Sequence, residues 1–309
     1  MQRVWRHESY ARNQNKRYGN DHKSIWEIVL YFHVQFRKIV PSASLSNYIS
    51  CFWLIEDCYN NVFDISFPDG CIELVFSVGL EVDRTELNGS KRTGHWAEII
   101  GQLTRPYQIR VNGAGKVFGV RFYPHTFCHF FPEVISAIND HSVQASYLLG
   151  SGVDTVVGNY LHENRIADAI RIVELNLAKK LRCNNATDDT SNKIISHAIT
   201  CILKDTPTVN LPKIAQDCGI NIRTLERKFR ESVGVSPKYF ARVMRFQQSL
   251  FYLQKGLENM TTISYNLGFF DQAHFIHEFK AFSGLTPSDF QVDRHPVNRH
   301  FIPGDKDFS

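Results

Sequence analysis

The strongest constraint on the fold is a pattern that occurs twice between residues 190 and 290. Residues 214–237 read IAxxxGxNxxxLxxxFxxxxGVSP, and residues 263–287 read ISxxxGxxDxxxFxxxFxxxxGLTP. The copies are offset by 49 residues before the internal turn and by 50 after it, so the second turn holds one extra residue. A repeat of this length predicts one supersecondary unit built twice.

Each position of the pattern has a structural role in a helix or a turn. Gly219 and Gly268 end a first helix, because glycine adopts positive φ without strain. Asn221 and Asp271 are N-cap residues of a second helix, whose apolar residues at i and i+4 share a buried face. A Ser-Pro or Thr-Pro pair then caps and opens a further helix. The pattern predicts two helix-turn-helix units joined by a long helix over 237–254.

The first unit carries basic side chains on the outward face of its second helix. They follow a spacing of i, i+3, i+4 and i+7: Arg223, Glu226, Arg227 and Arg230. Arginine bonds guanine through two parallel hydrogen bonds, or neutralises phosphates. The alternative is a solvated helix face with an internal Glu226–Arg230 ion pair. Because the helix belongs to a duplicated helix-turn-helix, we favour DNA contact.

The matching face of the second unit is less basic. It is formed by Gln272, Ala273, Ile276, His277 and Lys280. Gln272 and His277 could read base edges. Ala273 and Ile276 could touch a thymine methyl group or face a partner protein, and the sequence leaves both roles open.

The front of the chain, residues 41–125, has the alternation of β-strands. In the run over 71–76, alternate apolar residues share one face. Two more runs, 107–111 and 116–122, are separated by Asn-Gly-Ala-Gly at 112–115. That spacer predicts a hairpin. Helical spacing of apolar residues follows, and it predicts a helical connector before the repeat.

Composition and charge are consistent with a DNA-binding protein and exclude other classes. The chain has 309 residues and a net charge of +4, and residues 192–291 hold twelve basic and eight acidic side chains. No apolar run approaches the length of a membrane span, and the N-terminus lacks the apolar region of a signal peptide. We therefore expect a cytoplasmic protein with no membrane partner. The seven scattered cysteines lack Cys-x-x-Cys spacing, so we expect reduced thiols and no metal site.

The duplicated pattern resembles the DNA-binding domain of the AraC/XylS family of bacterial transcription regulators. The most specific stretch is GFFDQAHFIHEFK at 268–280, followed by GLTP at 284–287. The resemblance implies that the two units enter successive major grooves on one side of DNA. It places these residues at base-facing positions: Arg223, Glu226 and Arg227 in the first unit, and Gln272, Ala273, Ile276 and His277 in the second.

The front half is similar to a β-rich N-terminal domain of some AraC-type regulators. The matching pieces are FPDGCIEL at 67–74, GQLTRP at 101–106 and GVRFYP at 119–124. The expected fold class is α+β, with a β-rich domain and helical connector before an all-α domain of two helix-turn-helix units. The expected order is a basic leader (1–40), a sensing or dimerisation domain (41–183), a linker (184–192), the DNA-binding domain (193–291) and a tail (292–309).

Double-stranded DNA is the expected partner, and we expect no catalytic residue and no cofactor. RNA polymerase is a further partner that such a regulator could contact, and the front domain could take a small-molecule effector or a second copy of the chain. Two alternatives stay open. One is a non-specific architectural DNA binder, and the other is a DNA-repair alkyl acceptor that carries the same helix-turn-helix module beside a reactive cysteine.

Overall fold

In the part of the chain that the structure describes, an antiparallel sheet of eight strands forms the front half. The computed structural model describes residues 35–58, 62–183, 189–206, 208–256 and 258–302. The strands are β1 (Gln35–Ile39), β2 (Ile49–Cys58), β3 (Val62–Ser66), β4 (Glu73–Glu86), β5 (Lys91–Thr93), β6 (Ala97–Ile100), β7 (Tyr107–Phe122) and β8 (Ser142–Gln144). Their order is β1-β2-β7-β4-β6-β8, with β3 also paired to β7 and β5 to β4.

One face of this sheet is covered by helices of the connector. These are α1 (Ala145–Leu149), α2 (Val153–His162) and α3 (Ile166–Cys183). The alternation expected in the sequence is confirmed, because the following side chains all lie in the core on this face: Ile72, Leu74, Phe76, Phe118, Val120 and Phe122. The intervening side chains, among them Val75 and Arg121, line a cavity on the opposite face.

The predicted hairpin at 112–115 is wrong. β7 continues through these residues as one strand and pairs along its whole length with β4. Gly113 has φ +108°, and β4 bends beside it at Gly79, which has φ +73°. A Cβ on Gly115 would lie 1.9 Å from the Val78 carbonyl oxygen. The glycines therefore allow two bent strands to approach closely, rather than reversing the chain.

Within the described residues, six helices form the back half of the chain. They are α4 (Asp189–Asp205), α5 (Leu211–Asp217), α6 (Ile222–Val233), α7 (Pro237–Lys255), α8 (Met260–Asn266) and α9 (Gln272–Ser283). The α+β class and the two helix-turn-helix units joined by a long helix are confirmed. The helix expected after Thr286-Pro287 is wrong, because the chain makes only a single turn there.

Two predicted domain limits need correction, and the back half shares its core with the front half. Strand β1 lies inside the predicted leader, whose residues 1–34 are outside the described part of the chain. Helix α4 begins at Asp189, so the last four residues of the predicted 184–192 linker are helical. The apolar core of the back half also includes Ile65 and Phe67 from the front half. The linker therefore does not separate two independent cores.

Hydrogen bonds join the sheet region to the back half. The Gln247 amide donates to the Pro68 carbonyl at 2.6 Å, and the Asn139 amide donates to the Gly234 carbonyl at 2.6 Å. The Tyr239 hydroxyl donates to the carbonyl of Thr104. Within the described ranges, no helix is both long enough and apolar enough to cross a membrane.

The predicted tail packs against the sheet. Its residues 292–302 form two short 3₁₀ turns, Val292–Arg294 and Asn298–His300. The buried Asp64 carboxylate on β3 accepts hydrogen bonds from the His295 ring at 2.9 Å and from the Val297 backbone at 2.8 Å. This segment is thus an ordered part of the fold that returns the chain to its first half.

Candidate nucleic-acid interface

The turns of the two units have the same hydrogen bonds. In the first, Ile220 N–H donates to the Ala215 carbonyl, and in the second, Phe269 N–H donates to the Ser264 carbonyl, both at 3.0 Å. Gly219 and Gly268 have φ of +67° and +64°. The extra residue of the second turn therefore changes neither the glycine conformation nor the first closing bond.

Both second helices begin at the predicted caps. The Asn221 side chain accepts from Thr224 N–H at 2.8 Å, and the Asp271 side chain accepts from His274 N–H at 2.7 Å. Each helix ends at a left-handed glycine, Gly234 or Gly284. The N-cap residues therefore determine where α6 and α9 begin. The N-terminal residues of a recognition helix are the ones that contact base edges in the major groove.

The basic face of the first unit is open to solvent. Arg223, Arg227 and Arg230 are exposed, and Glu226 is half-buried. The opposite face of α6 is buried through Leu225, Phe229 and Val233. The sheet region therefore leaves the predicted recognition surface uncovered.

The ion pair on this face is not the Glu226–Arg230 pair of the alternative interpretation. Arg227 Nη1 lies 2.8 Å from Glu231 Oε1, with both side chains more than half exposed. No ion pair joins Glu226 to Arg230 among the residues that the structure describes. Arg227 is thus oriented along the helix surface by a carboxylate one turn later.

The second unit presents a mixed surface. Gln272, Ala273, His277 and Lys280 are exposed on α9, and Ile276 is half-buried. The Thr261 hydroxyl donates to the Gln272 side-chain oxygen at 3.2 Å. This bond uses the Gln272 side-chain oxygen as its acceptor and does not involve the amide N–H groups.

A buried carboxylate fixes the second recognition helix, and sequence reasoning missed it. Glu278 is 4% exposed and lies on the inner side of α9. It accepts hydrogen bonds from Arg242 at 3.0 Å and Arg245 at 2.9 Å, both on α7. Arg245 also lies over the Phe269 ring, 4.4 Å from its centroid. The available signal was that Glu278 lies three residues after the buried Phe275, on the inner side of the same helix, but its partners are more than 30 positions away.

Five of the seven cysteines are poorly suited to nucleophilic chemistry. Burial raises the pKa of Cys51 and Cys71, and it raises the pKa of Cys128 to about 11. Burial also raises the pKa of Cys201 and of Cys218. These thiols stay protonated near neutral pH, and the protonated thiol is the unreactive form.

The capped repeat with its exposed helix faces defines a double helix-turn-helix protein. A family model described as a helix-turn-helix domain matches residues 214–292. A second model, described as a domain of unknown function (DUF6597), matches residues 37–144. The chain therefore carries a C-terminal domain of the AraC/XylS type behind a β-rich domain, and the resemblance drawn from the sequence is confirmed.

Curated relatives match only part of the chain. HTH-type transcriptional activator RhaS of Escherichia coli O139:H28 (strain E24377A / ETEC) is 28% identical over 86 residues, which are 28% of this chain and 31% of that protein. RhaS of Escherichia coli (strain SE11) is 27% identical over the same length. The matched segment thus spans about a third of the length of these relatives.

Solved structures show distant similarity. A transcriptional regulator with an AraC-type DNA-binding domain from Chromobacterium violaceum is 21% identical, with a TM-score of 0.32, over 35% of this chain and 96% of that one. ToxT from Vibrio cholerae O395, bound to (E)-4-(8-methylnaphthalen-1-yl)but-3-enoic acid, is 15% identical, with a TM-score of 0.40, over 84% of this chain and 99% of that one. Scores this low transfer no structural detail to the present chain.

Proposed function

We propose that this protein is a sequence-specific transcription regulator that places α6 and α9 in successive major grooves of DNA. The observation that carries the proposal is the exposed arginine face of α6 inside a capped unit that the chain repeats. The match of residues 214–292 to a helix-turn-helix family supports the same function. A regulator of bacterial DNA acts in the cytoplasm, where we place this protein.

The charge of the back half also favours DNA as the partner. The twelve basic and eight acidic side chains of residues 192–291 give this region a positive net charge. Arginine and lysine side chains gain affinity for DNA by releasing the counterions condensed on phosphates. Arg223, Arg230 and Lys280 are exposed and suited to this role.

Arg227 is the residue best placed to read a base. Its partner Glu231 holds it only through an exposed ion pair, which is worth less than about 1 kcal/mol. Exchanging that pair for a guanine edge or a phosphate therefore costs little. In the free protein the pair orients the guanidinium without blocking it.

The test is Arg227→Ala, compared with Arg165→Ala as a matched control. Arg165 directly precedes α3, and its side chain is 51% exposed and pairs with Asp168 at 2.8 Å. Affinity is measured for a DNA site selected with the wild-type protein and for random DNA, at two salt concentrations. If Arg227 reads a base, the substitution costs about 1–3 kcal/mol at the selected site and relaxes one base pair of the preference.

Other outcomes assign other roles. A uniform loss for both DNAs, with the salt slope reduced by about one, makes Arg227 a phosphate contact. Equal affinity of the wild-type protein for selected and random DNA contradicts a sequence-specific regulator and supports an architectural binder. Unchanged binding of Arg227→Ala to both DNAs, at both salts, removes Arg227 from the interface.

In this proposal, the front domain regulates the DNA-binding function of the back half. Residues 24–191 hold more acidic than basic side chains, so this region gains little from phosphate contact. It instead responds to a small-molecule effector or joins a second copy of the chain, and RNA polymerase is the downstream partner. Regulation in cells that is unchanged in every respect after deletion of residues 1–184 would contradict this role.

A further inference from the structure

The face of the sheet opposite the connector helices lines a partly open cavity. It has a volume of about 100 Å³ and is lined mainly by apolar side chains of β2, β3, β4 and β7. This is about two thirds of the volume of an engineered apolar cavity of about 150 Å³ that takes up benzene, so a single small ring fills the space up to its mouth. None of the residues assigned to DNA contact lines it.

The polar part of the cavity has an excess of carboxylates. Arg121 donates to Asp69 at 2.7 Å and to Glu73 at 2.8 Å, and all three side chains are mostly buried and line the cavity. Arg84, also in the lining, is already paired with Glu98. One guanidinium therefore faces two carboxylates. Burial raises the pKa of Glu73, and the neighbouring Arg121 guanidinium acts in the opposite direction.

The C-terminal segment forms one wall of this cavity. Val297, Asn298 and Phe301 are among the lining residues. The Phe301 ring lies 5.0 Å from the Arg121 guanidinium and packs edge-on against Trp53 at 5.4 Å. A ligand in the cavity would touch this wall directly.

The same segment leads to the second recognition helix. Val297 and Asn298 donate to Asp64, which also accepts from the His295 ring. His295 stacks on Phe290 with centroids 5.2 Å apart. Phe290 in turn contacts Phe279 of α9 at 5.8 Å. Packed side chains thus connect the cavity wall to α9 without interruption.

We propose that the cavity binds a small molecule with a benzyl-sized apolar body and a cationic amine, and that residues 292–302 transmit its occupancy to the second helix-turn-helix unit. The amine donates to the Asp69–Glu73 pair and compensates the second carboxylate. An anionic ligand would meet two carboxylates against one guanidinium. The transmission to DNA rests on the proposed DNA-binding function, whereas the binding site itself does not.

The binding test uses three probes of similar size and different charge on the full chain. Dissociation constants are measured by calorimetry for benzylamine, benzyl alcohol and benzoate. Benzylamine should bind about tenfold or more tightly than benzyl alcohol, and benzoate should bind more weakly than either, because charge complementarity sets the order. Glu73→Gln should bring benzylamine and benzyl alcohol to within about threefold of each other.

The wall is tested with Phe301→Ala, and Tyr147→Ala is the control. Tyr147 is an aromatic residue that is 81% exposed on α1 and does not line the cavity. Phe301→Ala should weaken benzylamine binding about tenfold, and Tyr147→Ala should not change it. Tighter binding of benzoate than of benzylamine, or equal benzylamine affinity in wild type and Phe301→Ala, overturns the site.

Transmission is read in two ways. Benzylamine should change amide hydrogen exchange of residues 272–283 in the free wild-type protein, and it should change affinity for selected DNA in wild type but not in Phe301→Ala. If saturating benzylamine leaves the amide hydrogen exchange of residues 272–283 unchanged, the proposed transmission from the cavity to α9 is wrong. If exchange responds but the protein shows no DNA affinity under any condition, the proposed function fails while the ligand site stands.

Discussion

Removing the Asp64 carboxylate should detach the C-terminal segment and destabilise the fold. Asp64 is 2% exposed on β3. It accepts from the His295 ring at 2.9 Å, from Val297 N–H at 2.8 Å and from Asn298 N–H at 2.9 Å. Asp64→Ala deprives these three donors of their acceptor.

The magnitude follows from the number of donors. A buried donor without a partner costs about 1–3 kcal/mol. The segment can swing out and hydrate its donors, so each is counted at the lower end of that range. Three donors then give a loss of roughly 3–4 kcal/mol in the free energy of unfolding.

Urea unfolding of the full chain, followed by circular dichroism, measures this loss. Asp168→Ala is the control, because Asp168 makes a 2.8 Å ion pair with Arg165 while 41% exposed. That exposed pair should be worth about 0.5 kcal/mol or less. A loss below about 1 kcal/mol for Asp64→Ala, equal to the control, would refute the reasoning that this carboxylate anchors the segment.

Three further predictions concern stability. Glu278→Ala should lower the free energy of unfolding in urea by roughly 3 kcal/mol, because it leaves the Arg242 and Arg245 guanidinium groups without their buried acceptor. A loss under about 1 kcal/mol would show that α9 is not held by this carboxylate. Burial lowers the pKa of His125 from 6.5 to about 4. The folded state therefore prefers neutral His125, and its contribution, about 3 kcal/mol at most, is present above pH 6.5 and lost as the pH falls towards 4; a His125→Phe variant with the same pH profile as wild type would contradict this. Residues 185–295 expressed alone should fold and bind DNA, but melt at a lower temperature than the full chain, since Ile65 and Phe67 are missing from their core; an unfolded fragment by circular dichroism would defeat the first part, and an equal melting temperature the second.

The helix-turn-helix units could be predicted from sequence because their signals are local. Asn221 and Asp271 cap the helices that follow them, and Gly219 and Gly268 take the positive φ that the turns require. Each of these roles depends on a few neighbouring residues. The duplication then distinguished the pattern from chance.

What the sequence could not decide depends on distant partners or on a choice between equivalent local ones. The Asn-Gly-Ala-Gly spacer has the composition of a turn, and only the opposing bend at Gly79 shows that it lies within a strand. Glu226–Arg230 and Arg227–Glu231 have the same i, i+4 spacing, so sequence alone could not choose between them. The packing of the C-terminal segment depends on Asp64 and His295, which are 231 residues apart, and no periodic pattern connects them.

The most direct test of the central claim is a footprint of the full protein on a DNA site selected from random sequence, at a stated salt concentration. The account predicts two protected major-groove patches on one side of the duplex, about one helical turn (10–10.5 base pairs) apart. Arg227→Ala should weaken one patch and leave the other in place. A single patch, or equal protection of selected and random DNA, would contradict the proposal that both units read DNA.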